Sequence, residues 1–372
     1  IASKARKLTL LEVNTTGLTT LRSATLFANE VSESELTHID LDASASFAAL
    51  TRTLPSYEND ELSGCSGEVV FVDISNSDEF GSVLAQITVG PMPDAVDISP
   101  DGRWVVTADE VDYNDGKCTL AEFRASVTVL ELPAGDPAEA QIRARISMVD
   151  DTEGLRREPE QIIFASDSDR VAVTLQDTHE LLLFNVSEVV GDDEEIAEID
   201  TSGLTITRLP DHTTGAEPWP DGVACLVDAN GQDYFVVAGE YNDTFTVFSP
   251  RGEVINQVEI LTSDLPSDLP RNIEDWSNAP FRPDSIAPFH YGGHSYIAFS
   301  LKHAGAVGVW NVDDVSNIEL ASVIKVGANE MGTPTTESTL GSEGISANDQ
   351  GLILTANEDE SSVSLIAPLL GD

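Results

Sequence analysis

A unit of about sixty residues recurs along this chain, and the recurrence restricts the fold more than any single motif does. One copy reads "GPMPDAVDISPDGRWVVTADE" from Gly90. Val96 and Ile98 alternate as on a half-buried strand. Ser99-Pro100-Asp101-Gly102 is turn chemistry, and Trp104-Val105-Val106 opens a second strand. The same order returns in "REPEQIIFASDSDRVAVTLQDTHELLLFNV" from Arg157, "PWPDGVACLVDANGQDYFVVAGEYNDTFTVFS" from Pro218 and "FRPDSIAPFHYGGHSYIAFSLKHAGAVGVWNV" from Phe281. "GSEGISANDQGLILTANEDESSVSLIAPL" from Gly341 repeats it, and a weaker copy begins at Glu35 and ends with "GEVVFVDI" at Ile74. The acids that lead the copies are Glu35, Asp94, Glu160, Asp221, Asp284 and Glu343, separated by 59, 66, 61, 63 and 59 residues.

A fourth apolar stretch follows most copies: "VLAQITVG", "AQIRARISM", "GLTITRL", "EVINQVEIL" and "ELASVIKVG". Four antiparallel strands repeated radially describe an all-β propeller in one domain spanning residues 1–372, with blades starting near 35, 94, 160, 221, 284 and 343. Six blades are counted. The last copy lacks its fourth strand, and "RKLTLLEV" near the N-terminus has the character to supply it, closing the ring and removing sheet edges. Residues 15–34 fit this scheme poorly and leave room for part of a seventh blade. A two-sheet sandwich is the alternative, but it does not explain the period.

Composition narrows the partners. There are 65 acidic and 19 basic residues, a net charge of −46, which argues against nucleic acid and against an anionic membrane face. Such a surface suits solubility in a saline habitat or the capture of cations. No apolar run approaches the roughly 20 residues of a spanning helix. The chain begins at Ile1, and a processed, exported product is expected. Of three cysteines, Cys225 sits in an apolar run and reads as a buried thiol. A Cys65–Cys118 disulfide fits an exported chain, with unpaired loop thiols as the alternative.

The repeats resemble those of choice-of-anchor I domain proteins, relatives of the YVTN-type β-propellers. "VGPMPDAVDISPDGRWVVTADE" matches that family's "VG-x-x-PD…PDG…V-x-A-x-E" pattern, "EPEQIIFASDSDRVAVTLQDTHELLLFNV" its "EPE…VTLQE" segment, and "GSEGISANDQGLILTANEDESSVSLI" its closing "GPEG" segment. The likeness runs from about Gly67 to Ile366, roughly four-fifths of the chain. Gln176-Asp177-Thr178 and Ser342 depart from the family pattern. The resemblance implies a propeller that is exported or attached to a surface.

Chemistry is expected at the blade starts. If the leading acids face a common opening, they repel unless solvated, protonated or bridged by cations. Oxygen-rich sites of this kind favour Ca²⁺ or Mg²⁺, so Glu35, Asp94, Glu160, Asp221, Asp284 and Glu343 are candidate metal ligands. The alternative is that each acid bonds the N–H groups of its own turn. A second acidic set, Asp109-Glu110, Gln176-Asp177, Glu240 and Glu358-Asp359-Glu360, follows the second strands. "DANGQD" at Asp228 reads as a hairpin turn. His290 and His294 flank "HYGGH", a weak zinc pattern. No P-loop, G-x-G-x-x-G, G-x-S-x-G or haem-attachment motif occurs, so nucleotide and haem are not indicated. Two functions fit: a secreted, periplasmic or cell-surface module that binds a protein, glycan or small molecule or assembles with copies of itself, and a metal-dependent hydrolase acting on phosphoesters or lactones. Catalytic residues are not legible in the sequence.

Overall fold

The chain folds as a six-bladed β-propeller. The computed structural model describes residues 6–14, 17–28, 34–58, 61–111, 123–150, 155–191, 195–267, 269, 279, 281–326, 341–357 and 362–368. Each blade is a meander in which the first strand pairs in the ladder with the second. Blade 1 comprises Glu35–Leu41, Phe47–Glu58, Glu61–Asp73 and Val83–Thr88. Blade 2 comprises Met92–Ile98, Trp104–Glu110, Ser126–Glu131 and Gln141–Ser147, and Ala197–Ile199 joins its outer edge in parallel. Blade 3 comprises Pro159–Phe164, Arg170–Leu175, Glu180–Asn185 and Thr205–Arg208. Blade 4 comprises Pro220–Val227, Asp233–Gly239, Thr244–Phe248 and Val254–Glu259, and blade 5 Pro283–Tyr291, His294–Leu301, Ala306–Asn311 and Glu319–Lys325. Blade 6 has three strands among the described residues: Ser342–Ala347, Ile353–Asn357 and Ser362–Ile366.

The middle strands are buried on both faces, which is why they read as apolar runs. Val105, Val106 and Ala108 are fully buried in blade 2, as are Phe235, Val236 and Val237 in blade 4. Contacts divide the chain into two compact units. One holds blades 1 and 2 and most of blade 3; the other holds blades 4 to 6. In the first unit Phe47, Phe71, Val96, Ile98 and Leu130 form a core cluster. In the second, Leu226, Phe245, Phe281, Phe299 and Trp310 do so.

The N-terminal segment departs from expectation. Lys7–Asn14 pairs with Gly17–Thr25 in a two-stranded sheet of its own and does not complete blade 6. The two strands are close in sequence, so their pairing closes a very short loop at little entropic cost. Leu8 and Leu26 then pack on Leu36, Leu50 and Val70 of blade 1. Within residues 15–34, which fit the repeat poorly, Gly17–Thr25 is thus a hairpin partner and no part of a seventh blade.

Cys65 is disulfide-bonded, whereas Cys225 keeps its thiol and is half-buried, less enclosed than its apolar run suggests. Cys118, the partner expected for Cys65, lies outside the described residues. No helix among the described residues is long and apolar enough to cross a membrane.

Candidate functional site

The first strand of every blade carries a register shift at the same step. It falls between Leu36 and Ile39, Pro93 and Ala95, Pro159 and Ile162, Pro220 and Val223, Pro283 and Ile286, and Ser342 and Ile345. A bulge of this kind re-aims the side chains it carries. Proline, which has no N–H to lose from the ladder, stands at its edge in four blades. The residue just after that edge is Asp94, Glu160, Asp221, Asp284 or Glu343, so one device mounts five of the six expected acids. In blade 1 the equivalent residue is Thr37, because Leu36 pairs with Arg52 as Pro93 pairs with Asp109. Glu35 stands two residues earlier, opposite Thr53. The Thr37 hydroxyl donates to the Pro93 carbonyl at 2.5 Å.

Two groups of three carboxylates result. In the first unit, Asp94 and Glu110 of blade 2 and Glu160 of blade 3 each bring an oxygen within 4.8 Å of the others. Glu110 is 8% exposed, and the other two are half-buried. Beside Glu110, fully buried Asp109 accepts hydrogen bonds from the hydroxyls of Thr107 (2.7 Å), Ser126 (2.9 Å) and Thr128 (2.5 Å). Burial nevertheless pushes its pKa up to about 6. Gly90 permits that packing, since a Cβ there would meet the Asp109 Cβ at 2.3 Å.

The second group is its register equivalent in the second unit: Asp221 and Glu240 of blade 4 with Asp284 of blade 5. Here the chain supplies its own cations. Arg282 Nη2 lies 2.5 Å from Glu240 Oε1, and Lys302 Nζ lies 3.8 Å from Asp284 Oδ2 while also pairing with Glu343. Glu240 is 2% exposed, and burial pushes its pKa up to about 7 against the opposing pull of Arg282. Arg282 also donates to the Tyr241 hydroxyl at 2.7 Å, with its guanidinium 4.4 Å from the centre of that ring. Trp219 and Arg282, each preceding the bulge proline, both hold left-handed backbone (φ 46 and 55). Such conformations strain a non-glycine residue and persist only where the surroundings enforce them. For Arg282 the enforcement is Asp243, whose Oδ1 accepts from the N–H groups of Phe281 (3.1 Å) and Arg282 (2.8 Å).

Asp221 and Asp284 come together because Gly222 lets two inner strands approach closely. A Cβ on Gly222 would lie 2.2 Å from the Asp284 carbonyl oxygen. Gly222→Ala is therefore expected to lower stability by about 1–3 kcal/mol. Gly344→Ala, whose Cβ would meet only the Ala356 Cβ at 3.6 Å, should stay within about 0.5 kcal/mol. Denaturant midpoints of the two variants check this.

The remaining expectations are placed as follows. Asp228 closes its hairpin turn by accepting from Asn230 N (2.8 Å) and Gln232 N (2.9 Å). His294 bonds Asp313 at 2.6 Å and the His290 N–H bonds Asp349, so neither contact joins the two histidines. Residues 358–360 of the second acidic set lie outside the described residues. Spacing does not single out Arg282 and Lys302; Arg282 leaves a trace as "RPD" where the other proline-bearing copies read "EPE", "MPD" or "WPD".

Bulge-mounted acids on five of six blades define an acid-rich β-propeller. The chain belongs to the choice-of-anchor I domain family, whose pattern matches residues 3–247. No curated protein sequence matches it. Among solved structures it is similar to a candidate 6-phosphogluconolactonase of Bacteroides fragilis, with a TM-score of 0.59 and 14% identity over 94% of this chain and 83% of that one. It is also similar to a periplasmic gluconolactonase of Pseudomonas aeruginosa, with a TM-score of 0.58 and 12% identity over 89% and 80%. A streptogramin B lyase gives 0.55 and 14% over 98% and 88%. At these identities the likeness is one of fold, and it extends over proteins of different chemistry.

Proposed function

We propose that this chain is a surface-displayed binding propeller in which Asp94, Glu110 and Glu160 hold a divalent cation of the Ca²⁺ class. One comparison carries the reading. In the second acidic group, Arg282 and Lys302 counter the carboxylates, and the Lys302 N–H bonds the Arg282 carbonyl at 3.0 Å. In the first group those two positions are Glu158 and Gln176, joined by the same main-chain bond at 2.8 Å. The same scaffold thus carries cationic side chains at one group and an acid and an amide at the other. Three carboxylates from two blades are a donor set that hard cations favour. The family's name and the periplasmic neighbour support display outside the cell, and the net charge of −46 suits solubility in saline surroundings. The partner chemistry is a protein, glycan or small molecule, or further copies of the chain.

Calorimetric titration of chelator-treated protein with Ca²⁺ tests the cation. Saturable heat is expected, with a stabilisation of about 2.7 kcal/mol at a hundredfold excess over Kd. Glu160→Gln should abolish both. Wild-type protein that gives neither heat nor a thermal shift refutes the cation reading.

A second reading, a metal-dependent hydrolase, draws support from Glu240, a buried carboxyl tuned to about 7 beside Arg282. It requires turnover of a lactone or phosphoester that chelator and Glu240→Gln both remove. Absence of turnover across these substrates leaves the binding reading.

A further inference from the structure

In the first unit, the inner strands of neighbouring blades are stitched by side chains of one strand that grip the backbone of the next. From blade 1, Thr37 Oγ1 donates to Pro93 O at 2.5 Å, His38 Nδ1 accepts from Val96 N at 3.4 Å, and Asp40 Oδ2 accepts from Ile98 N at 2.8 Å. One blade further on, Asp97 Oδ2 accepts from Phe164 N at 2.6 Å. Asp40 Oδ2 thus sits at the peptide N–H that directly follows Asp97, and the two carboxyl groups act on each other electrostatically. Ionised carboxylates only accept, so two neighbouring ones can bond each other only when one of them carries a proton.

We propose that the Asp40–Asp97 pair is a proton-operated latch that ties the inner strands of blades 1, 2 and 3 together. With one proton shared, each carboxyl holds the backbone N–H of the next blade and the pair attracts. Without it, two like charges face each other in a poorly solvated seam, and the stitches to Ile98 and Phe164 are strained apart. Asp97 is 9% exposed, so solvent offers it little relief.

Among the described residues, the ladder partners of the pair supply no compensating cation. Across the ladders the pair faces Ala49 and Val106, and the strand Pro159–Phe164 contributes the Phe164 N–H. The charged group acting on Asp40 besides its partner is Asp42, which is of the same sign. Burial first, then the neighbouring carboxyl, holds Asp97 well above the usual carboxylate range, and burial raises Asp40 too; the shared proton belongs to the pair. A carboxyl raised on folding contributes stability that is complete below the ordinary carboxyl pKa and is lost as pH rises through the raised value. His38 acts in the opposite sense. Its Nδ1 must stay unprotonated to accept from Val96, and burial holds its pKa down to about 4, so its contribution is lost as pH falls through that value. The seam is therefore tightest in moderately acid solution.

The test is amide hydrogen exchange at Ile98 and Phe164 across pH, corrected for intrinsic rates, in wild type and Asp97→Asn. An asparagine donates and accepts without needing a titratable proton. Wild-type protection is expected to fall by up to about tenfold per pH unit between the ordinary carboxyl pKa and the raised one, while the variant stays flat. If Asp97→Asn does not fold, Asp40→Asn makes the same substitution from the other side of the pair. Flat wild-type protection, or an Asn variant that tracks wild type, overturns the latch.

Discussion

Replacing Arg282 with methionine is expected to cost the fold about 3–5 kcal/mol, the usual penalty for removing one partner of a buried ion pair. Glu240 is 2% exposed and lies within 4.8 Å of Asp221 and Asp284, with Arg282 as its nearest cation at 2.5 Å. Methionine preserves much of the stem's packing but leaves three carboxylates together. Relief comes only when Glu240 takes up a proton. Its pKa, about 7 beside Arg282, must rise further once the guanidinium is gone. The deficit of the variant should therefore widen as pH rises and shrink as pH falls and Glu240 becomes neutral. Urea unfolding at about pH 6 and about pH 8.5 measures that slope. Adding Glu240→Gln to Arg282→Met should recover a large part of the loss, since the two side chains interact directly. A deficit that ignores pH, or a double variant no better than the single, would show that Arg282 acts through packing on Tyr241 instead.

Much of this architecture was legible because the blade start is chemically loud. A Pro-acid pair, an alternating strand and a Gly or Asp turn recur together, and each element has its own mechanical reason to be there. The bulge that mounts the acid is what makes Asp94, Glu160, Asp221, Asp284 and Glu343 keep a period. Blade 1 lacks the proline, so spacing points to the nearest acid, Glu35, whereas the register gives the place to Thr37. The grouping of acids was hidden for another reason. Glu110 and Glu240 were visible as acids after second strands, but sequence spacing does not say that this end of one blade meets the first strand of the next. The N-terminal hairpin was hidden because one apolar strand reads like another; which edge it joins depends on loop closure and on the apolar face of blade 1 that Leu8 and Leu26 cover.

Phe299→Ala should cost a further large sum, about 3–5 kcal/mol, and should also disturb the second acidic group. Phe299 is fully buried on the second strand of blade 5, stacked on Phe245 of blade 4 at 4.6 Å between ring centres and set edge-on to Trp310 at 5.3 Å. It pairs with Ile286 on one side and Gly308 on the other. Gly308 is required there, because a Cβ would lie 2.4 Å from the Trp310 ring. Truncation leaves a cavity between blades 4 and 5 that neither strand can collapse into without breaking its ladder. The strands that pair with these two lead into Glu240 and carry Asp284, so a looser seam should admit water to Glu240, whose burial is what raises its pKa. Two readouts follow: a lowered denaturant midpoint, and a Glu240 carboxyl resonance that titrates closer to the ordinary glutamate value than in wild type. Phe299→Leu, which refills much of the space, should restore most of both. If the alanine variant loses stability while Glu240 titrates unchanged, the acidic group is held by its bulges and by Arg282, independently of the aromatic core beneath it.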